Sequence, residues 1–299
     1  MNSPVLPADT VLRAMTDDGA FRVMVARTTD TVRAIVAAQQ VDGFAANQLG
    51  DLVTAAVLVR ETMSPPNRVQ VLLRDGRDSL VVGDAWPEGR TRGLAMVKDR
   101  VLGVDLEADG QLQVERLLPR GASHRGVVEA RMGIGIDGAL ASYFHHSEQV
   151  ASFVGLATVI DREDTTQVKS SAGYVVQLLP ELTESPLAAM RTRLDAFGNL
   201  ERWLRAEGDA PQAIRAALLG NEPFTPLAET PVQFACHCSR ARAIGAAAAL
   251  GKDDLRGLII KGETLRIHCD YCRELYEVGP ADFEQILRNS DGDGDASRN

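Results

Sequence analysis

FACHCSR at residues 234–240 and HCDYC at residues 268–272 contain all four cysteines of this 299-residue chain. The cysteines form a C-x-C pair followed by a C-x-x-C pair: Cys236 and Cys238, then Cys269 and Cys272. Two thiolates so close in sequence can bind one metal ion from a tight turn, and two such pairs complete the tetrahedral shell that Zn²⁺ prefers. The spacing therefore predicts one zinc ion per chain, bound by four sulfurs.

The residues beside the cysteines fit a small zinc-binding module over residues 231–289. Strand-like segments at 266–268 and 275–278 flank the second pair, and residues 280–288 can form a helix that caps the module. Four thiolates around Zn²⁺ carry a net charge of about −2, which nearby arginines can offset: Arg240, Arg242, Arg266 and Arg273. The alternative, that these arginines form a solvated basic surface, stays open.

Histidines adjoin both cysteine pairs. His237 and His268 could bind zinc, since imidazole is also a zinc ligand, but with four thiolates available we expect them to flank the site. A second candidate cluster comprises His145, His146 and Glu148. On a helix, neighbours i and i+1 point apart, so we expect these three side chains at the surface or at the edge of the core.

The spacing alone leaves open whether the zinc site is permanent or switchable. A closed structural site is the commonest fate of a four-cysteine cluster. The C-x-C pair favours a switch, because a disulfide within it closes a small strained ring, and strained disulfides are labile and often regulatory.

Composition and charge limit the class of protein. With 45% hydrophobic and 24% charged residues the chain is expected to fold into a globular body. Its net charge of −9 argues against nucleic acid and anionic lipid as partners. The N-terminus lacks the pattern of a signal peptide, and no long apolar run predicts a membrane span. Four cysteines confined to the C-terminal part predict a reducing, cytoplasmic setting.

Up to Pro180, strand and helix patterns alternate irregularly, which predicts an α+β N-terminal core domain over residues 1–180. Strands are expected at 21–28, 69–73, 80–82, 91–97, 100–106, 111–118, 126–132, 153–160 and 173–179, and helices at 44–62 and 137–151. GIGIDG at 133–138 lacks the spacing of a dinucleotide loop and predicts a strand-to-helix turn. No G-x-S-x-G, Walker or H-E-x-x-H motif occurs, so we expect no enzyme activity.

From residue 181 to 230 the pattern changes to that of a helical linker. Apolar residues recur every three or four positions and predict one helix that ends at Gly208: Leu187, Met190, Leu194, Phe197, Leu200 and Leu204. A short helix is expected at 211–219, and NEPFTPLAETP at 221–231 predicts a Pro-rich connector. Residues 290–299 predict a disordered tail.

The two cysteine stretches closely resemble the zinc motifs of the heat-shock protein 33 family, the redox-regulated holdase chaperones also called 33 kDa chaperonin. Further segments resemble that family in the same order: SYF at 142–144, SEQ at 147–149 and GYVVQLLP at 173–180. The resemblance covers most of residues 20–290.

This resemblance implies a mechanism. In the reduced state the zinc module would hold the linker folded against the N-terminal domain, and chaperone activity would be off. Oxidants with heat would form Cys236–Cys238 and Cys269–Cys272 disulfides and release zinc. Unfolding client proteins would then bind the apolar linker face without ATP, at Leu187, Met190, Leu194, Phe197 and Trp203. Homodimerisation on oxidation is a further family expectation.

Two other classes of protein remain as alternatives. A zinc-ribbon adaptor with a purely structural zinc would keep its metal during mild peroxide treatment. A thiol oxidoreductase would use Cys269 and Cys272, but it would need a thiol at a helix N-terminus in a thioredoxin-like βαβ setting, which the surrounding pattern lacks.

Overall fold

A five-stranded and a six-stranded sheet form the first of two units, residues 1–235 and 236–299. The computed structural model describes residues 8–63, 67–118, 121–179 and 184–292. The strands of the first unit are β1 Thr10–Thr16, β2 Phe21–Arg27, β3 Arg68–Arg74, β4 Leu80–Ala85, β5 Arg90–Met96, β6 Gln111–Leu117, β7 Ser123–Glu129, β8 Ser152–Ile160, β9 Val168–Leu178, β10 Phe224–Pro231 and β11 Gln233–Phe234. The strand orders are β10-β1-β2-β9-β8 and β11-β5-β4-β3-β6-β7.

Helices cover both faces of the five-stranded sheet. They are α1 Thr29–Gln39, α2 Gly43–Glu61, α3 Gly135–Ser147, α4 Glu184–Phe197, α5 Leu200–Glu207 and α6 Pro211–Leu219. Along β2 and β9, Met24 and Val175 belong to the core that contains α2, whereas Val23 and Val176 belong to the core that contains α4, α5 and α6. Strand alternation thus gives one sheet two apolar faces.

α2 is the central element of the first unit, and it packs against strands of both sheets. Its approach to the six-stranded sheet is close: a Cβ at Gly83 in β4 would lie 2.1 Å from the Leu52 carbonyl oxygen. Only glycine at this strand position leaves room for the helix backbone. The helix predicted at 44–62 is therefore confirmed, and it is buried on nearly every side.

The predicted linker helix is in fact two helices. Gly198 adopts a φ of +70°, and the Asn199 side chain accepts a hydrogen bond from the Arg202 amide, so the chain ends α4 and caps α5 within two residues. An Asn cap after a left-handed glycine is a common way to end one helix and begin another. The apolar spacing continues across the break, which is why the periodicity predicted one helix.

The predicted Pro-rich connector at 221–231 is wrong, because most of it is β10. This strand pairs antiparallel with β1 at the edge of the sheet, with a bulge opposite Arg13 and Ala14. Prolines are tolerated on an edge strand, where one row of backbone groups needs no partner. Pro226 and Pro231 therefore give this strand the sequence pattern of a connector.

Most of the remaining predictions for the first unit are confirmed, one strand is absent and one strand is displaced along the chain. The hairpin of β3 and β4, the helix now named α3, and the strands at 21–28, 91–97, 111–118, 153–160 and 173–179 are confirmed within a few residues. Residues 100–106 form turns instead of a strand, and the strand predicted at 126–132 lies at Ser123–Glu129. Gly133 and Gly135 have φ values of +91° and +64° in the turn before α3, as expected.

The second unit is a small α+β module. Its elements are α7 Arg240–Ala247, α8 Lys252–Lys261, β12 Leu265–His268, β13 Leu275–Val278 and α9 Pro280–Gly292. β12 and β13 form an antiparallel hairpin, and a compact core includes Leu255, Val278 and Phe283. α9 extends the predicted helix through residue 292, so the tail predicted at 290–299 begins within it, and residues 293–299 lie outside the described ranges.

The α+β class predicted for the chain is confirmed. The boundary predicted at residue 180 falls outside the described residues. In the parts of the chain that the structure describes, no helix combines the length and the apolar character that a membrane crossing requires.

Candidate metal centre

The second cysteine pair lies in the turn between β12 and β13. The Cys269 amide donates to the Glu274 carbonyl at 2.9 Å, and the Arg273 amide donates to the Cys269 carbonyl at 2.8 Å. Arg273 has a φ of +61°, which closes the turn tightly. The turn therefore holds Cys269 and Cys272 side by side at the end of a hairpin, a setting unlike the helix N-terminus of a thiol oxidoreductase.

The first cysteine pair lies directly before α7. Ser239 is the N-cap of this helix, and its side chain accepts a hydrogen bond from the Arg242 amide at 3.3 Å. The cap fixes where the helix begins, so Cys236 and Cys238 remain in non-helical backbone. Their side chains can then turn toward the hairpin.

The four thiols converge on one point. All four Sγ atoms lie within 4.8 Å of one another, with Cys236 and Cys269 at 3.6 Å and Cys238 and Cys272 at 3.3 Å. A tetrahedral zinc site with Zn–S bonds of about 2.3 Å requires S···S separations of about 3.8 Å. The thiols are free, and each cysteine is half-buried. The cluster therefore fits a single tetrahedral ion, and Zn²⁺ is the cation that such a sulfur set suits best.

Electrostatics inside the cluster call for a cation. Burial raises the pKa of the Cys272 thiol above its ordinary value, and hydrogen bonds with the other three thiols raise that pKa further. The Cys272 thiol therefore resists ionisation when no cation lies beside it. A bound divalent cation reverses this balance and leaves its coordinating thiols deprotonated.

Tyr276 is a site residue that the sequence argument missed. Its hydroxyl donates to Cys238 Sγ at 3.1 Å, and this contact raises the pKa of Tyr276. A hydroxyl donor to a metal-bound thiolate reduces the charge on the sulfur and fixes its position. The available signal was strand alternation, because Tyr276 lies two residues before the fully buried Val278.

Two of the arginines predicted to offset thiolate charge have carboxylate partners. Arg240 pairs with Asp282 at 2.8 Å, and Arg266 lies 3.8 Å from Glu277. These guanidinium groups are exposed, which agrees with the alternative of a solvated surface for these two residues.

The histidines lie outside the cluster, as expected. His268 Nδ1 lies 3.4 Å from the Arg273 carbonyl oxygen. On α3, His146 contacts Ser142. Glu148 follows the last residue of α3 and pairs with Arg116. Within the described ranges, the four cysteines are the only group of three or more His, Cys, Asp or Glu side chains placed to hold a metal ion.

The residues predicted to bind clients lie in the first unit, far along the chain from the thiols. Met190 is fully buried on the five-stranded sheet, and Leu194, Phe197 and Trp203 pack partly buried against the same core. Phe197 stacks on Trp203 with ring centroids 4.9 Å apart. Leu187 is half-buried in α4. In this conformation the apolar stripe packs as a core-facing surface.

The reduced protein is expected to bind one zinc ion per chain with four sulfur ligands, because four Sγ atoms surround one point. Elemental analysis gives the stoichiometry, and X-ray absorption gives the ligand atoms. A nitrogen atom in the metal shell would contradict the four-sulfur site and would implicate His237 or His268.

The fold and the thiol cluster together define a class of two-part protein. An α+β unit with two sheets is followed by a small module in which four thiols are placed to hold one metal ion. The family profile described as Hsp33 protein matches residues 9–279 of the sequence. The chain belongs to the Hsp33 family.

Relatives of similar length support this assignment. The 33 kDa chaperonin of Syntrophotalea carbinolica is 29% identical over 291 residues, which cover 93% of this chain and 99% of the relative. That of Listeria welshimeri is 27% identical over 298 residues, covering 95% and 99%. The crystal structure of the 33 kDa chaperonin (heat shock protein 33 homolog) from Thermotoga maritima matches with a TM-score of 0.80 at 19% identity, over 95% of this chain and 99% of that chain. This likeness confirms the fold.

Proposed function

We propose that the protein is a redox-regulated, ATP-independent holdase chaperone of the cytoplasm. Reduced and zinc-bound, it is inactive; oxidation forms the Cys236–Cys238 and Cys269–Cys272 disulfides, releases zinc and activates binding of unfolding proteins. Membership of the Hsp33 family, whose relatives are named 33 kDa chaperonin, supports the chaperone class.

The observation that carries the proposal is the convergence of four half-buried thiols in a module with a small core. Metal binding supplies about 10–16 kcal/mol of folding free energy in modules of this kind. Half-buried sulfurs are also open to oxidants, and each pair is close enough in sequence to form its own disulfide. Oxidation therefore removes the ligands and the folding energy of the module in one step.

The apolar stripe gives the proposal its client-binding surface. Met190, Leu194, Phe197 and Trp203 pack against the core on the sheet, and Leu187 is half-buried in α4. All five side chains would become available when α4 and α5 detach. An apolar surface exposed to water binds the apolar segments of unfolding chains, because both surfaces are then removed from water. A holdase of this kind binds and releases clients without nucleotide turnover. Homodimerisation after oxidation would enlarge the surface and is part of the proposal.

Light scattering of a heat-unfolded client protein tests the switch. Protein treated with peroxide at mild heat is expected to lose zinc and to suppress client aggregation, and the reduced, zinc-loaded protein is expected not to suppress it. Reduction with zinc resupplied should reverse both effects. If the reduced protein protects clients equally well, the switch is wrong, and a binding module with a structural zinc becomes the better description.

The client surface is tested by placing a charge on the stripe. Leu194→Asp and Phe197→Asp are expected to weaken client capture by the oxidised protein severalfold, because a carboxylate on an apolar surface opposes burial against a client. Arg202→Asp, on α5 but outside the stripe, is the charge control. Circular dichroism checks that the variants keep their secondary structure. Full protection by both stripe variants would place the client site elsewhere.

A further inference from the structure

Arg27, the last residue of β2, forms ion pairs with carboxylates from three parts of the chain. Its side chain is only 1% exposed, and its guanidinium pairs with Asp9, Asp30 and Asp209. Asp9 precedes β1, Asp30 lies in the first turn of α1, and Asp209 lies in the turn between α5 and α6. A buried guanidinium therefore joins the body of the first unit to the linker.

Two of these carboxylates are fixed by the body itself. Asp9 accepts the backbone amides of Asp30 at 3.2 Å and of Thr31 at 2.6 Å, so it caps the start of α1. Asp30 lies three residues from Arg27 and also pairs with Arg33. These contacts do not involve residues 184–219, so they persist whether or not the linker helices are docked.

Asp209 is the carboxylate that the linker contributes to the ion pairs of Arg27. Its Oδ2 lies 3.0 Å from Arg27 Nε and accepts a hydrogen bond from the Thr29 hydroxyl. The Thr29 hydroxyl oxygen in turn accepts the Ser171 amide of β9 at 2.8 Å. One carboxylate oxygen thus ties the α5–α6 turn to α1 and, through Thr29, to the central sheet.

Of the three carboxylates, Asp209 is the one that can separate from Arg27 together with the linker. Asp9 caps α1 and Asp30 also pairs with Arg33, whereas Asp209 belongs to the α5–α6 turn. Arg27 attracts the Asp209 carboxylate, and a cavity of about 520 Å³ that reaches both residues is lined by further cationic side chains: Arg33, Arg162, Lys169 and Arg205. The Asp209 side chain is 14% exposed, whereas that of Asp9 is 3% exposed. Water can therefore solvate Asp209 when it leaves, at little cost compared with a fully buried charge.

We propose that Asp209, with Arg27 and Thr29, is an electrostatic latch that holds the α5–α6 turn on the sheet and sets how readily the linker opens. The latch acts on the linker directly and needs no change at the cysteines. This inference rests on the proposed function in one respect only, namely that an open linker binds clients.

Asp209→Asn is the decisive variant, because it removes the charge and keeps the shape. Hydrogen exchange of the amides in 200–219, measured by mass spectrometry on the reduced full-length chain with zinc bound, is expected to accelerate about tenfold or more, the usual effect of losing a charge-assisted contact. Asp209→Glu keeps the charge and is expected to exchange more slowly than Asp209→Asn. Zinc content should stay at the wild-type value in both variants.

Glu201→Gln, on α5 of the same linker, is the matched control. Glu201 pairs with Arg205 on the exposed face of α5, so the same loss of charge is expected to change exchange by about twofold or less. Equal exchange in Asp209→Asn and Glu201→Gln would overturn the latch. If Asp209→Asn opens the linker while neither it nor the oxidised wild type protects clients, the latch stands and the holdase function fails.

Discussion

Cys269→Ser is expected to unfold the second unit of the reduced protein. The variant leaves three thiols where four Sγ atoms now lie within 4.8 Å of one another, and zinc affinity is expected to fall by well over a hundredfold. Since zinc binding supplies about 10–16 kcal/mol in such modules, most of their folding free energy goes with it. Hydrogen exchange over 240–292 should approach that of an unfolded chain, while the first unit keeps its protection.

Tyr276→Phe is the matched control for this prediction. It removes the hydroxyl that donates to Cys238 Sγ but keeps all four sulfurs. Loss of such a supporting contact usually lowers metal affinity about 10–100-fold, which should leave the module folded at saturating zinc. A Cys269→Ser variant whose second unit stays as protected as that of Tyr276→Phe would show that the module folds without its metal.

Gly83→Ala is expected to destabilise the first unit by about 3 kcal/mol, at the upper end of the usual cost of overpacking. The added methyl group would lie 2.1 Å from the Leu52 carbonyl oxygen, and this oxygen belongs to a helix backbone that cannot rotate away as a side chain can. α2 must therefore move off the sheet. Both tryptophans, Trp86 and Trp203, lie in the first unit, so urea unfolding followed by tryptophan fluorescence reports on this unit.

The same substitution at Gly257 provides the contrast. No atom lies within 4 Å of a Cβ at this position in α8, and its φ is not positive. Alanine there is expected to stabilise the helix by up to about 1 kcal/mol, because it restricts the unfolded chain. An unchanged urea midpoint in Gly83→Ala would mean that α2 and the sheet are less closely packed than the structure has them.

The clustering of the four thiols was predictable because the cysteines are close in sequence within each pair. The spacing alone indicates that each pair can face one point, and the β12–β13 hairpin and the capping Ser239 fix the orientation of the pairs. Tyr276 was not predictable in the same way, since a tyrosine in a short strand is ordinarily a packing residue. Its role follows from the packing of the segment before α7 against β13, which brings Cys238 Sγ to the Tyr276 hydroxyl.

The fold was predictable where hydrophobic periodicity dominates and not where tertiary contacts override it. The buried α2 and the hairpin of β3 and β4 follow from local pattern. β10 does not, because its prolines oppose a strand and only pairing with the distant β1 compensates. The break at Gly198 was hidden for the opposite reason, since the apolar repeat continues through it.

The position of β10 would limit the movement of the chain between Leu178 and Phe224 if the helices of this stretch unfolded, as the proposed switch requires. This stretch is anchored at one end by β9, inside the sheet, and at the other by β10, paired to β1. While both strands hold, the melted chain is a closed loop and not a free tail. Closing a flexible loop costs an entropy that rises only with the logarithm of its length. Because both ends would stay fixed at the sheet, the unfolded segment could reach only positions near the sheet. It would also sample fewer conformations before its helices re-formed than a segment with one free end.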